Sequence, residues 1–179
     1  MPTRPYVLLD RDGTVIRNVP YLSNYLQVCI PKDVIAGLKF IKSMGFAFGI
    51  ISNQSGIGRG FISPKQLIEV NSQVVEVLES KEIHIDFLLC CTHHPNIGCN
   101  CRKPRTGLLE NSIYDKVIDK ESSFMVGDTS ADIDFALNYG VTPILLSNES
   151  PSIESRRDTL TAKNFMEVAL LIQEFSRNL

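Results

Sequence analysis

The chain has 179 residues, of which 44% are hydrophobic and 21% charged, ordinary values for a globular protein. A net charge of −2 argues against a nucleic-acid binder with a broad basic face, and no run approaches the roughly 20 apolar residues that span a bilayer. The N-terminus MPTRPY leads into only a short apolar run and does not resemble a signal peptide, so one domain over residues 1–179, in the cytoplasm, is expected.

In chain order, Tyr6 to Leu9 is a short apolar run that reads as a strand, and it ends abruptly in Asp10-Arg11-Asp12-Gly13-Thr14. Val34, Leu38 and Ile41 recur at helical spacing between Asp33 and Met44, and Gly45 suits the helix end. Phe46 to Ile51 is a second strand, followed by Ser52-Asn53-Gln54. Ser63-Pro64-Lys65-Gln66 is a helix start, with an N-cap, Pro at the first position and Gln at N3; Leu67, Val70, Val74 and Leu78 form its apolar face. Ile85 to Cys90 is a third strand, Ser123 to Val126 a fourth and Thr142 to Leu146 a fifth. Ile133 and Leu137 mark a helix ended by Gly140, Ser147 to Arg157 a polar loop, and Phe165 to Phe175 a closing helix.

Strands alternating with helices imply an α/β fold whose parallel sheet is covered on both faces, with ligands at the carboxyl ends of the strands. Four polar motifs then fall on one sheet edge: Asp10 and Asp12, Ser52-Asn53, Cys91-Thr92-His93 and Gly127-Asp128. A single Asp-x-Asp-Gly is commonly a turn, but four successive strand ends of this kind are not ordinary loops. Carboxylates at Asp10, Asp12 and Asp128 would repel one another without a cation, and hard oxygen ligands suit Mg²⁺. A hydroxyl at Ser52 and an ammonium at Lys103 complete a clamp for a phosphoryl group.

Four of the five cysteines lie between Cys90 and Cys101. Cys91-x-His93 and Cys99-x-Cys101 supply three thiolates and an imidazole, a closed tetrahedral set for structural Zn²⁺. Arg102 and Lys103 follow directly, so the metal would fix the loop that aims Lys103. Cys90 should point away from the site, since strand neighbours face oppositely, and Cys29 reads as a small apolar residue.

DRDGT, SNQSG, CRKP and GDTSAD, in this order, resemble the four motifs of the haloacid dehalogenase-like phosphatases. The resemblance implies a Rossmann-like sheet in which Asp10 is the nucleophile and Asp12 the general acid/base. Ser52 and Lys103 would hold the phosphoryl group. Asp10, the Asp12 backbone carbonyl and Asp128 would bind Mg²⁺, and Asp132 would support the site. The CxH…CxCRKP pattern is similar to that of the D-glycero-D-manno-heptose 1,7-bisphosphate phosphatases and their histidinol-phosphate relatives, and it selects His93 over His94 as the zinc ligand. SNQSGIGRG is nearer the heptose branch. Thr129 stands where these families often carry a basic residue. Roughly twenty residues separate Thr14 from the first helix, room for a minimal cap such as the Arg17–Leu26 loop.

The segments expected to line the mouth, 13–32, 53–65 and 92–106, contain no Asp or Glu. They carry Arg17, Lys32, Arg59, Lys65, Arg102, Lys103 and Arg105, a lining suited to a second phosphate rather than to a cationic amine. Ser52, Asn53, Arg59, Arg102 and Lys103 are therefore the expected substrate contacts, in a monomer acting on a sugar bisphosphate and binding neither nucleic acid nor membrane. A phospho-receiver domain also places acids, a hydroxyl and a lysine on strand ends, but its acceptor follows strand three, where this chain has Cys91. A zinc-bearing binding module would not need the full set Asp10, Asp12, Lys103 and Asp128.

Overall fold

The chain folds around six short strands: β1 (Tyr6–Leu9), β2 (Ala47–Asn53), β3 (Phe87–Cys91), β4 (Phe124–Gly127), β5 (Thr142–Leu146) and β6 (Leu160–Ala162). The structure is a computed structural model that describes residues 2–147 and 159–177. All six strands run parallel in the order β3-β2-β1-β4-β5-β6. β1 is central and buried on both faces: Val7 and Leu9 enter one core, Tyr6 and Leu8 the other.

The first core is covered by α1 (Lys32–Ser43), α3 (Pro64–Glu79) and α6 (Phe165–Ser176), which contribute Val34, Leu38, Ile41, Val70, Val74, Leu78, Val168 and Ile172. α1 and α6 approach closely at Gly37, where a Cβ would lie 2.5 Å from the Phe165 carbonyl oxygen. The second core is covered by α5 (Ser130–Tyr139) and the one-turn α4 (Gly107–Glu110), through Phe135, Ala136, Tyr139 and Leu109. Another single turn, α2 (Ser55–Gly58), follows β2. The capping box expected at Ser63 is present, with Gln66 N–H donating to Ser63 Oγ at 3.3 Å and Ser63 N–H to Gln66 Oε1 at 2.8 Å.

The helix marked by Ile133 and Leu137 is α5, capped by Gly140; Ile133, Phe135, Ala136 and Tyr139 are buried and Leu137 is exposed. Two expectations differ from the structure. Cys29 is exposed rather than packed. β6 was not expected; it has only three residues, too few for a periodic strand signal. The Ser147–Arg157 loop lies, apart from Ser147, outside the described residues. Among the described residues no helix is long and apolar enough to cross a membrane.

Candidate active site

The C-terminal ends of β1, β2, β3 and β4 bring the sequence-predicted acids and their lysine to one edge. Asp10 N–H donates to the Val126 carbonyl at 2.9 Å, which ties the end of β1 to β4. The chain then turns at Gly13, which has φ +88°. A Cβ there would lie 2.1 Å from Asp128 Oδ2, so glycine is required both for the turn and for the approach of the Asp128 carboxylate.

Lys103 is the centre of the arrangement. Its ammonium lies 2.5 Å from Asp10 Oδ1 and 2.6 Å from Asp132 Oδ1, and donates to the Ile51 carbonyl at 2.6 Å. Its backbone is held at two points by one side chain: Asn53 Nδ2 donates to the Lys103 carbonyl at 3.1 Å and Lys103 N–H donates to Asn53 Oδ1 at 3.0 Å. Asn53, expected among the substrate contacts, thus commits both ends of its amide to orienting Lys103. Asp132 Oδ2 accepts from the backbone and hydroxyl of Thr129 at 3.1 and 2.6 Å, so Thr129 closes the start of α5.

Asp12 is held by residues that sequence reasoning did not assign. The Arg11 guanidinium grips it side-on, Nε to Oδ2 at 3.0 Å and Nη2 to Oδ1 at 3.0 Å. Gln54 Nε2 reaches Asp12 Oδ2 at 2.6 Å and Ser52 Oγ at 2.7 Å, linking the general-acid position to the expected phosphoryl contact. Arg11 and Gln54 lie inside the quoted motifs DRDGT and SNQSG.

Burial raises the Asp10 carboxyl to about 7, against the lowering pull of Lys103 and with the repulsion of Asp132 and Asp12 added. Burial also raises Asp128, with Asp132 the next cause. Lys103 is shifted up, because Asp10 and Asp132 outweigh the burial that would lower it. Among the described residues Asp10, Asp12 and Asp132 form their ion pairs with Lys103 and Arg11, and Asp128 forms none. This surplus of hard oxygen donors fits a divalent cation such as Mg²⁺.

The cysteine and histidine cluster is assembled as its spacing suggested. The ligand atoms of Cys91, His93, Cys99 and Cys101 all lie within 4.8 Å of one another. Cys91 Sγ is 3.6 Å from Cys99 Sγ and 3.8 Å from His93 Nδ1. Cys101 Sγ is 3.2 Å from Cys91 Sγ and 3.0 Å from His93 Nδ1, so the set is near the size of a tetrahedral Zn²⁺ site, whose ligands lie about 3.3–3.8 Å apart. His94 is elsewhere: its Nδ1 accepts from Asn96 N–H at 3.2 Å and caps the turn Pro95–Ile97. Cys90 also lies outside the cluster, 3.5 Å from Asn71 Nδ2.

Of the remaining expected contacts, Arg59 is exposed at the end of α2 and has no ion pair among the described residues. Arg102 Nη1 is buried with no hydrogen-bond partner. Arg105 is used differently: its Nη1 donates to the carbonyls of Gly98 and Cys99, the latter at 2.6 Å, and so pins the cysteine loop. In place of a cap domain, the loop before the turn Tyr25–Gln27 packs Tyr21 against Phe61, ring centroids 4.6 Å apart. A neighbouring cavity of about 560 Å³ is lined by Gly13, Thr14, Asp33, Asp128 and Lys163 among others; Asp33 is an acid just outside the segments counted above.

The parallel sheet, the Asp10–Asp12 strand end, the Lys103 ammonium shared by Asp10 and Asp132, and Asp128 after β4 define a phosphatase of the haloacid dehalogenase-like class. Within that class, the chain belongs to the polynucleotide kinase 3 phosphatase family, whose sequence profile matches residues 8–166. A Helicobacter pylori protein named D-glycero-beta-D-manno-heptose-1,7-bisphosphate 7-phosphatase is 33% identical over 97% of this chain and 100% of its own length. The Campylobacter jejuni histidine biosynthesis bifunctional protein HisB is 35% identical over 75% of this chain, which spans 39% of that larger protein. In structure, the chain is similar to D,D-heptose 1,7-bisphosphate phosphatase from B. bronchiseptica complexed with magnesium and phosphate, with a TM-score of 0.82 at 22% identity, covering 96% of this chain and 99% of that one; this likeness is one of fold.

Proposed function

We propose that the chain is a Mg²⁺-dependent phosphatase of small sugar phosphates. D-glycero-D-manno-heptose 1,7-bisphosphate, cleaved at its primary C7 phosphate, is the best candidate. The carrying observation is the buried pair Lys103–Asp10, 2.5 Å apart at the sheet edge. It sets a carboxylate beside an ammonium that can hold a phosphoryl oxygen next to it.

In this reading Asp10 attacks phosphorus and the bond from phosphorus to the alcohol oxygen breaks. Asp12 gives its proton to that oxygen. A water then attacks the aspartyl-phosphate and gives its proton to Asp12, and phosphate leaves Asp10. Ser52 and Lys103 hold the phosphoryl oxygens, while Asp132 and Asn53 hold Lys103. Asp10, the Asp12 carbonyl and Asp128 would hold Mg²⁺, which offsets charge on the acids and the phosphoryl group. Cys91, His93, Cys99 and Cys101 would hold Zn²⁺ in a closed, structural set. The enzyme would act as a single-domain monomer in the cytoplasm.

The substrate choice draws on the acid-free mouth and on the unpaired Arg59 and Arg102, which suit a second phosphate. The name of the full-length Helicobacter relative agrees with it. The HisB relative and the nearby Asp33 favour a second reading, histidinol phosphate, whose amine an acid would attract. Parallel assays decide between them. The first reading expects a higher kcat/KM for the heptose bisphosphate; a higher value for histidinol phosphate would change the substrate and leave the phosphatase class standing.

A further inference from the structure

Arg11 is the largest fully buried side chain in the described protein, 1% exposed, although it sits between two site acids and carries a charge. Burying a guanidinium adds little to stability even when it is paired, and an apolar residue of similar length would fill the space as well. Its contacts explain why a charge is there. Nε and Nη2 form a two-pronged grip on Asp12, and Nη1 donates to Asn71 Oδ1 at 2.6 Å. Asn71 lies on α3 beside its apolar stripe, and its own amide is oriented by Cys90 Sγ. A chain of side chains thus runs from β3 through α3 and Arg11 to the Asp12 carboxylate, from behind the site.

The grip distinguishes the two oxygens of Asp12. Oδ2 is approached by Arg11 Nε at 3.0 Å, Arg11 Nη2 at 2.9 Å and Gln54 Nε2 at 2.6 Å. Oδ1 meets a single nitrogen, Arg11 Nη2 at 3.0 Å. A carboxylate oxygen has about two acceptor positions. Oδ2 is therefore saturated, and Oδ1 keeps one position open.

We propose that Arg11, anchored by Asn71, is a positioning residue that locks the Asp12 carboxylate so that Oδ1 alone gives and takes the proton during phosphate-ester hydrolysis. This rests on the phosphatase reading above. In the first step the Oδ1 proton goes to the departing alcohol oxygen as its bond to phosphorus breaks. In the second, the attacking water returns a proton to Oδ1 as phosphorus leaves Asp10. Without the grip the carboxylate can rotate, while Asp10 and Lys103 are untouched.

The test compares two leaving groups in Arg11→Met, Arg11→Lys and Asn71→Ala. With an alkyl phosphate, Arg11→Met should lower kcat on the order of 10²-fold with little change in KM, the loss typical of a misplaced catalytic group. With p-nitrophenyl phosphate, nitrophenolate leaves without a proton, so the first step survives and the second slows. The result expected is a stoichiometric burst of nitrophenolate followed by slow turnover. Arg11→Lys, which keeps the charge without the fork, should fall between Arg11→Met and the wild type. Asn71→Ala should show the same pattern with a smaller loss, and it decides the matter if Arg11→Met does not fold. Equal losses on both esters without a burst would mean that Arg11 only supports the fold, and unchanged kinetics would mean that it does nothing; either overturns the proposal. Wild-type protein inactive on every phosphate monoester would instead overturn the phosphatase reading, and this inference with it.

Discussion

Asp132 Oδ1 lies 2.6 Å from the Lys103 ammonium, and each side chain is 2% exposed. Lys103 is thus shared between the proposed nucleophile Asp10 and an acid proposed to hold it in place. Asp132→Asn removes the second charge while keeping the shape. It is expected to lower kcat/KM on the order of 10-fold or more, through loss of electrostatic preorganisation. The Mg²⁺ concentration for half-maximal activity should change little, because Asp132 is spent on Lys103 and Thr129, whereas Asp128→Asn should raise it strongly. Magnesium titrations of both variants check this; an equal rise in both would make Asp132 a metal ligand.

The cysteine loop should hold one zinc per chain, measurable by elemental analysis. Cys99→Ser should weaken zinc binding and lower both activity and thermal stability, since Lys103 follows Cys101 by two residues and depends on that loop. A zinc-free variant with unchanged activity and melting temperature would contradict the structural role.

Arg59 and Arg105 should separate cleanly. Arg59→Ala is expected to raise KM for a bisphosphate more than for a monophosphate ester, by a factor on the order of 10, the scale of a lost charged contact to phosphate. Arg105→Ala should instead lower stability and affect all substrates alike, because its guanidinium is spent on the Gly98 and Cys99 carbonyls. Steady-state constants for both esters provide the check; a bisphosphate-selective effect of Arg105→Ala would reverse the assignment.

Burial raises the Asp10 carboxyl to about 7 despite Lys103. As the proposed nucleophile, Asp10 must be ionised, so kcat/KM should rise with pH through the neutral range. Mg²⁺ competes with the proton for the same carboxylates, so more Mg²⁺ should move this acid limb to lower pH. Profiles recorded at low and saturating Mg²⁺ measure the shift; a limb that does not move would separate the metal from Asp10.

The strand ends and the clustering of the Cys/His pairs were legible because each needs particular residue types at fixed spacing: Asp10 and Asp12 after an apolar run, Cys91-x-His93 and Cys99-x-Cys101 flanking a short loop. What lay out of reach depends on side-chain direction across long sequence separations. Nothing local indicates that Arg11 turns inward to meet Asn71, sixty residues on, or that Asn53 serves the backbone of Lys103 instead of open space. Arg105 was counted in the basic lining, and its contacts to the Gly98 and Cys99 carbonyls were hidden for the same reason, since charge alone does not say which carbonyls a guanidinium will find.

The most direct test is to look for the covalent intermediate on Asp10. Asp12→Asn should let a good leaving group depart but slow hydrolysis of the aspartyl-phosphate, so that the intermediate accumulates. The variant is mixed with p-nitrophenyl phosphate and Mg²⁺, quenched in acid, digested and mapped by mass spectrometry. A phosphoryl group on the peptide containing Asp10, absent when Asp10→Asn is added to the same chain, is the result expected. A labelled peptide elsewhere in the chain, or wild-type turnover that persists in Asp10→Asn, would contradict the account.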